Sequence, residues 1–203
     1  MEHSVNHCGK TAVILDDNPQ MREIIRSMLM ATGMTDVSDY SDPYAMLRQL
    51  EQVEVDLAVI DLVLMSDLDG LAVVDRIRHN PDLRNPTMPI IMVTGYPSIA
   101  VIDQAINVGV DELVTKPLRT RDLLSRITKC LTRPRPYIYT SSQYYGPDRR
   151  RSMSDSPTGT ERREHDTAVV IEQPNEARAA IAQMRADAFT EQRMVDESVL
   201  LID

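Results

Sequence analysis

The sequence has only two cysteines, and none of its apolar runs is long enough to cross a membrane. Cys8 lies near the start and Cys130 in a predicted late helix, so the two make no disulfide framework, which agrees with a reducing compartment. The opening residues contain neither the basic nor the apolar segment of a secretory signal. We therefore expect a cytoplasmic protein without a membrane segment.

Histidines are also few, and two of the four, His3 and His7, lie beside Cys8. These three side chains could form part of a metal site, but a fourth ligand is not apparent. The favoured interpretation of residues 1–9 is a flexible N-terminus without a ligand.

Basic residues are the minority, with 22 Lys and Arg against 31 Asp and Glu in 203 residues. The length allows one domain with an appendage or two small domains, and the net charge of −7 over residues 1–132, +4 over 133–163 and −6 over 164–203 divides the chain into three compositional zones. Binding to nucleic acid needs a basic face, so the acidic main block argues against it, and only the middle zone could serve that purpose.

Short apolar runs alternate with helical periodicities in the first part of the chain. The runs TAVIL, LAVI and PIIMV predict strands at 11–15, 57–60 and 89–93, and weaker strands are predicted near 37–40 and 112–115. A helical pattern follows each of them; the first suits a start at Pro19 and a stop at Gly33. Five such units with strands apolar on both faces predict an α/β fold with a parallel sheet.

Polar side chains follow four of these strands at the carboxyl end, where parallel sheets bind ligands. They are Asp16 and Asp17, then Asp61, then Thr94 with Gly95, then Lys116 with Pro117. Adjacent carboxylates repel, and a hard cation such as Mg²⁺ relieves the repulsion, although a lone aspartate is more often a helix cap or a surface charge. A carboxylate facing Mg²⁺ can attack a phosphoryl group whose oxygens a lysine and a hydroxyl bind.

These four features, in this order, resemble the receiver domain of bacterial two-component response regulators over about residues 10–131. The resemblance implies a doubly wound, flavodoxin-like (CheY-like) sheet of five parallel strands in the order 2-1-3-4-5. It also implies a phosphoacceptor that is not an enzyme in the ordinary sense, although it assists its own Mg²⁺-dependent phosphorylation and slow dephosphorylation. The phosphoryl group would come from a sensor histidine kinase or a histidine phosphotransfer protein.

The same resemblance assigns roles to single residues. Asp61 would be the phosphoacceptor, Thr94 the switch hydroxyl and Lys116 the phosphate partner, while Pro117 would follow a cis peptide bond. The Mg²⁺ contacts would be Asp17 directly, Asp16 mostly through water, Asp61 and the backbone carbonyl of Val63.

Two departures from the family pattern affect these expectations. The segment after Asp61 is one residue longer than usual, and Leu113 stands where the family most often has an aromatic switch residue. Val63 and Tyr96, at positions that tune hydrolysis in the family, are both bulky. We expect slow loss of the phosphoryl group and a switch that does not rely on aromatic rotation alone.

Residues 132–173 are rich in Pro, Ser and Arg and are predicted to be a linker. The linker contains a short repeat, because YYGPDRRR at 144–151 resembles TGTERR at 158–163. Gly146, Asp148 and Arg149-Arg150 align with Gly159, Glu161 and Arg162-Arg163, thirteen residues later. The arginines could bind carboxylates or phosphates of a partner, or they could be a solvated basic stretch.

Residues 174–203 are predicted to form an amphipathic helix, with Ala177, Ile181, Met184 and Ala188 on one face. This thin stripe suits packing on the receiver, on a second copy or on a partner. We expect output through contact with a downstream protein, and a homodimer. The alternative is a transcriptional or nucleic-acid-binding regulator that uses the arginine repeats. A hydrolase is the weakest alternative, because Val63 stands where a related phosphatase would need an acid.

Overall fold

The computed structural model of the chain describes residues 7–140, 144–149, 168–171, 174–183 and 186. Strands and helices alternate up to residue 132. The strands are β1 (Thr11–Leu15), β2 (Asp36–Tyr40), β3 (Leu57–Asp61), β4 (Ile90–Thr94) and β5 (Glu112–Thr115). The helices are α1 (Pro19–Met30), α2 (Pro43–Gln52), α3 (Gly70–His79), α4 (Ile99–Asn107) and α5 (Thr120–Thr132). All strand pairs are parallel and the order is β2-β1-β3-β4-β5, which confirms the predicted fold class.

The central strands are buried on both faces because successive side chains enter two different cores. In β1, Val13 and Leu15 belong to the core beneath α2 and α3, whereas Ala12 and Ile14 belong to the core beneath α1 and α5. This alternation follows from the two-residue period of a strand and explains why the predicted strands are apolar throughout.

A side chain other than the two aspartates caps the first helix. Asn18 is the N-cap of α1, and its side-chain oxygen accepts hydrogen bonds from the amides of Gln20 and Met21 at 2.9 and 3.3 Å. The capping interpretation of Asp16 and Asp17 is therefore wrong, and both carboxylates are left at the end of β1.

A small antiparallel sheet follows α5, within the range predicted to be a linker. It consists of β6 (Tyr137–Thr140), β7 (Tyr145–Pro147) and β8 (Ala168–Ile171), in the order β7-β6-β8. The sequence analysis did not anticipate these strands. The run YIYT has the aromatic and β-branched residues of a strand, but it is short and lies between prolines and serines.

The first part of the predicted C-terminal helix packs on this small sheet. Residues 174–183 are helical, and Ala177 and Ile181 are fully buried against Tyr137, Tyr145 and Ile171. Met184 and Ala188, which the sequence analysis places on the same stripe, lie outside the described residues.

The small sheet contacts the five-stranded domain at the edge of the parallel sheet that carries the N-terminal ends of β4 and β5. Arg78, in α3, is fully buried there. Its guanidinium donates hydrogen bonds to three backbone carbonyls, those of Pro86, Met88 and Gly109, at 2.7, 2.9 and 3.0 Å. These bonds join α3 to the segments that lead into β4 and β5.

A tyrosine of β6 completes the buried network around this arginine. The Tyr137 hydroxyl donates to Asp111 Oδ2 at 2.7 Å, and Arg78 Nη2 lies 3.0 Å from both groups. The same Asp111 oxygen accepts the Ile90 amide at 2.8 Å. The small sheet thus satisfies polar groups that belong to the five-stranded domain.

The first copy of the arginine repeat contacts the five-stranded domain of its own chain. A Cβ on Gly146 would lie 2.8 Å from the Cα of Gly109, so the two backbones approach closely only because both residues are glycines. Arg149 donates to the backbone carbonyls of Val110 and Asp111. The second copy of the repeat, residues 158–163, lies outside the described residues.

The described part of the N-terminus differs from the flexible segment expected for residues 1–9. His7 is buried, and its amide donates to the Thr32 carbonyl at 2.8 Å. Burial lowers the pKa of His7, and nearby Lys10 lowers it further. No metal cluster of His, Cys, Asp or Glu includes His7 or Cys8 among the described residues, and His3 is not one of them. No helix in the described part of the chain has the length and apolar character needed to span a bilayer.

Candidate functional site

Three carboxylates meet at the carboxyl edge of the parallel sheet. Asp16 and Asp17 follow β1, and Asp61 is the last residue of β3, which pairs with β1 in parallel register. One ligand oxygen from each residue lies within 4.8 Å of the others. Asp16 and Asp61 are almost fully buried and Asp17 is partly exposed, so the cluster forms a recess with one open side.

Burial and mutual repulsion affect the protonation of this cluster. Burial raises the pKa of Asp16, and the negative charge of Asp61 raises it further, against the hydrogen bond from the Asn18 amide and the charge of Lys116. The Asn18 amide donates to Asp16 Oδ1 at 2.8 Å, which fixes the orientation of this carboxylate.

Lys116 joins the carboxylates from the end of β5. Its Nζ donates to Asp61 Oδ2 at 2.8 Å and to Asp16 Oδ2 at 3.4 Å. Burial alone would lower the pKa of Lys116, but the hydrogen bonds and charges of Asp61 and Asp16 outweigh it and raise the pKa. The Lys116–Pro117 peptide bond is cis.

Thr94 lies at the end of β4, beside the strand that carries Asp61. It is fully buried, its hydroxyl accepts the Tyr96 amide at 3.1 Å, and its carbonyl accepts the Lys116 amide at 2.7 Å. The registers that pair Asp61 with Val93 and Thr94 with Thr115 bring the ends of β3, β4 and β5 side by side.

The three residues expected to tune the switch lie in different environments. Val63, two residues after Asp61, is 61% exposed, and Tyr96, two residues after Thr94, is 83% exposed. Leu113 lies on β5 and is partly buried against the core beneath α2 and α3. In the loop after Asp61, Leu62, Leu64 and Leu68 are buried in the same core.

The structure also identifies an arginine that the sequence analysis did not place in the site. Arg22 donates to the carbonyls of Asp16 and Asp17 at 2.8 and 3.2 Å, and to Asp39 Oδ2 at 2.8 Å. It therefore fixes the backbone on which both carboxylates stand. Its position four residues after a helix N-cap gave no indication of this role.

A glycine lies against the end of β3, the strand that carries Asp61. A Cβ on Gly70 would lie 2.2 Å from the Asp61 carbonyl oxygen, and the Gly70 amide donates to the Leu62 carbonyl at 2.9 Å. Only glycine allows this approach. The sequence offers one indication of this close approach. Gly70 directly follows the N-cap Asp69, at a position where the helix itself does not require a glycine.

The donor set fits a hard divalent cation. Three carboxylates carry more negative charge than the single ammonium of Lys116 neutralises, and oxygen-rich clusters of this kind suit Mg²⁺. The residues that could hold the ion are Asp16, Asp17 and Asp61, with the Val63 carbonyl as the fourth protein ligand predicted from the sequence.

Comparisons with known proteins agree with the fold of the part of the chain that carries the five-stranded sheet. The family model for the response regulator receiver domain matches residues 12–128. The heme response regulator HssR of Staphylococcus aureus is 30% identical over 123 residues, which are 60% of this chain and 51% of HssR. The chain thus spans about half the length of the curated relatives it matches.

Solved structures share the fold of the same part of the chain. A CheY-like receiver domain protein from Methanospirillum hungatei JF-1 is 30% identical with a TM-score of 0.55, over 62% of this chain and 95% of that one. The chemotaxis protein CheY4 of Vibrio cholerae is 21% identical with a TM-score of 0.54, over 59% of this chain and 97% of that one, and shares the fold. Both matches leave more than a third of this chain uncovered.

Proposed function

Because the chain belongs to the response regulator receiver family, we propose that it accepts a phosphoryl group from a phosphohistidine onto Asp61. The observation that carries this proposal is the contact of Lys116 Nζ with Asp61 Oδ2 at 2.8 Å inside a cluster of three carboxylates. A receiver domain acts in two-component signalling as a phosphoacceptor, and the arrangement supports that chemistry in this chain.

Asp61, Lys116 and Thr94 have different roles in the phosphoryl transfer. Lys116 holds one oxygen of Asp61, so the other oxygen is directed to attack the phosphorus atom. A new P–O bond forms as the P–N bond of the phosphohistidine breaks, and the imidazole leaves with the electron pair and takes up a proton from solvent. The Lys116 ammonium and the Thr94 hydroxyl then bind oxygens of the transferred group.

The carboxylates that surround the acceptor Asp61 would also bind the cofactor Mg²⁺. Asp16, Asp17, Asp61 and the Val63 carbonyl would hold Mg²⁺, which when bound neutralises negative charge on the transferred phosphoryl oxygens. Arg22 keeps the two carboxylates of the first loop in position through their backbone carbonyls. The chain thereby assists its own phosphorylation.

The partners follow from the position of the site. A histidine kinase or phosphotransfer protein of the cytoplasm would approach the edge flanked by the start of α1 and the loop from Pro117. Output would pass through protein contact, with homodimer formation and a downstream target of the C-terminal part. Arg149 is engaged with carbonyls of its own receiver, which does not favour the nucleic-acid alternative.

Mass spectrometry of the full chain with Mg²⁺ and phosphoramidate tests the proposal. We expect one added phosphoryl group, abolished by Asp61→Asn and by chelation of Mg²⁺, but retained in Asp103→Asn, which alters an exposed aspartate of α4. Labelling that persists in Asp61→Asn would show that another residue is the acceptor.

A further inference from the structure

Helix α4 carries apolar side chains on two of its faces. Ala105 is buried in the core of the receiver, whereas Ile99 and Ile102 are 81% and 40% exposed and Ile106 is partly exposed. The three isoleucines are spaced by three and four residues, so they form one stripe along the helix, which we call the isoleucine stripe. Single exposed apolar residues are ordinary, but a continuous stripe on a helix indicates contact with another segment or molecule.

A cleft of about 230 Å³ lies against this stripe, and its lining combines apolar and cationic side chains. The apolar part includes Ile102, Ile106 and Leu113, and the cations are Lys129, Arg135 and Arg149. Lys129 belongs to α5, whereas Arg135 precedes β6 and Arg149 follows β7. The cleft is therefore formed by the receiver together with the segment that carries the small sheet.

Three cations surround one acid of this lining. Glu112 is 8% exposed at its side chain and pairs with Arg126, Lys129 and Arg135. These three cationic side chains are 44%, 47% and 32% exposed, so they remain accessible to a ligand. Three cations against one carboxylate leave an excess of two positive charges.

The other charged groups of the lining add to this excess. Asp111 is paired with Arg78 at 3.0 Å, so its charge is balanced inside the protein. Arg149 is a further cation, and its described hydrogen bonds go to the backbone carbonyls of Val110 and Asp111. The cleft therefore suits a ligand that presents carboxylates beside apolar side chains.

A segment of this chemistry lies outside the described residues. Residues 195–203, VDESVLLID, combine five apolar residues with three acids, Asp196, Glu197 and Asp203, and contain no Lys or Arg. The second copy of the arginine repeat, residues 158–163, carries a net positive charge and would be repelled by the same cations. Charge and apolar content thus both favour residues 195–203 as the occupant.

The connection to the described part of the chain is long enough for this segment to reach the cleft. Eight residues, 187–194, separate Ala186 from Val195, and they can span up to about 30 Å. The helix at 174–183 packs on Tyr137, and Arg135 of the cleft lies two residues before this tyrosine. A tethered segment acts at an effective concentration of about millimolar, so a weak contact is enough to keep it bound.

We propose that residues 195–203 dock in this cleft of their own chain, with apolar side chains on the isoleucine stripe and carboxylates toward the cations. The docked segment would cover Ile102 and Ile106 and so control the access of other proteins to this face of α4. A second copy of the chain is a poorer occupant. A symmetric contact through the cleft would bring two sets of cations together, and like charges repel.

Disulfide formation between introduced cysteines tests where the segment lies. The full chain would carry Ile102→Cys and Leu200→Cys together with Cys8→Ser, which removes the exposed native thiol, whereas the native Cys130 is buried. The control pair is Ile24→Cys with Leu200→Cys, because Ile24 is 44% exposed on α1 and matches the 40% of Ile102. Oxidation by oxidised glutathione would be followed by intact mass spectrometry under denaturing conditions.

We expect the bond between positions 102 and 200 to form within one chain at least about tenfold faster than the control bond, because docking holds the two thiols close. Asp196→Lys/Glu197→Lys in the same background should slow it at least about fivefold, since the reversed charges face cations. Equal rates for the two cysteine pairs, or a rate that charge reversal leaves unchanged, would overturn the proposal. Disulfides between two chains would assign the cleft to a second copy instead.

A labelled peptide gives a second measurement that needs no introduced cysteine. Fluorescein-labelled VDESVLLID would be titrated into the wild-type chain and into Val199→Gln/Leu201→Gln, with fluorescence anisotropy as the readout. We expect the peptide to bind this variant at least about tenfold more tightly than the wild type, because the weakened segment no longer competes for the cleft. Equal affinities, or binding to neither protein, would contradict docking within the chain.

Discussion

Arg78 Nη2 lies 3.0 Å from Asp111 Oδ2, and the two side chains are 0% and 8% exposed. Burial raises the pKa of Asp111, against the charge of Arg78 and hydrogen bonds from Ile90 and Tyr137. The guanidinium is surrounded by carbonyls, the carboxylate and the ring of Tyr137, whose centroid lies 4.9 Å from the Arg78 Cζ. Tyr137 of β6 contacts both members of this pair and so joins the small sheet to the receiver at the edge remote from the acidic recess.

Removal of the guanidinium is expected to destabilise the whole chain. Arg78→Met would leave Asp111 buried without its counter-charge, which costs about 3–5 kcal/mol when one partner of a buried pair is lost. Urea unfolding followed by circular dichroism measures the free energy of unfolding. Arg48→Met, at an exposed pair with Asp42, is the control and is expected to change it by less than about 1 kcal/mol. Equal effects of the two substitutions would contradict the role of the buried network.

Loss of the Tyr137 hydroxyl is expected to loosen the small sheet. Tyr137→Phe removes a buried hydrogen bond to the Asp111 carboxylate, which still accepts from Arg78 and Ile90, and loss of a hydrogen bond to a charged group costs roughly 1.5–3 kcal/mol. Hydrogen exchange of the amides of β6 and β7 would accelerate, because their anchor to the receiver is weakened. Tyr96→Phe is the control, since this ring is exposed at the opposite edge. Unchanged exchange in Tyr137→Phe would show that the hydroxyl does not hold the sheet in place.

The parts of the fold that the sequence predicted are those set by local periodicity. Five apolar strands and their helices followed from patterns within about fifteen residues, and strand ends placed Asp16, Asp61 and Lys116 at one edge. The small sheet could not be predicted from such local patterns. Its strand β6 pairs with β8 across almost thirty residues, and the Tyr137 hydroxyl is hydrogen-bonded by Arg78, 59 positions away. Such long-range partners leave no periodicity in either segment. Gly70 and Arg22 were missed for a different reason, since each acts on a nearby backbone carbonyl, and such a contact leaves no pattern of side chains in the sequence.

A methyl group at Gly70 is expected to slow phosphorylation of Asp61. In Gly70→Ala the ideal position of the new Cβ lies 2.2 Å from the Asp61 carbonyl oxygen. This distance is too short for two non-bonded atoms, so β3 would be forced to shift. Displacement of a reacting group by about 1 Å can cost up to about a hundredfold in rate. The rate of labelling by phosphoramidate would be compared with that of Gly95→Ala, where a Cβ meets nothing within 4 Å. A normal rate in Gly70→Ala would mean that the strand yields without moving the carboxylate.

The pH dependence of stability is expected to include a contribution from Glu112. Burial alone would raise its pKa, but Lys129, Arg126 and Arg135 outweigh burial and lower it below the ordinary value of 4.5. A lowered pKa in the folded state means that the stabilisation is present above about pH 4.5 and is lost as the pH falls through the folded pKa.

Glu112→Gln would therefore destabilise the chain at neutral pH, and its free energy of unfolding would approach that of the wild type in acid. Urea unfolding at several values between about pH 6 and pH 3 measures this convergence. Glu54→Gln, an exposed glutamate, is the control. A difference between Glu112→Gln and the wild type that is the same at every pH would exclude titration of Glu112 as its cause.

The lifetime of the phosphorylated chain is expected to depend on Val63. Hydrolysis needs a water molecule in line with the P–O bond, and the Val63 side chain offers this water no hydrogen bond, while Tyr96 can shield the recess. Val63→Asn keeps the backbone carbonyl and adds a polar group at the mouth of the site, so we expect the phosphoryl group to be lost several-fold faster. The chain would be loaded with phosphoramidate and Mg²⁺, freed of donor and followed by intact mass spectrometry. Val53→Asn, at another exposed valine, is the matched control and should keep the wild-type lifetime. Equal lifetimes in all three proteins would show that access of water is limited by another part of the site.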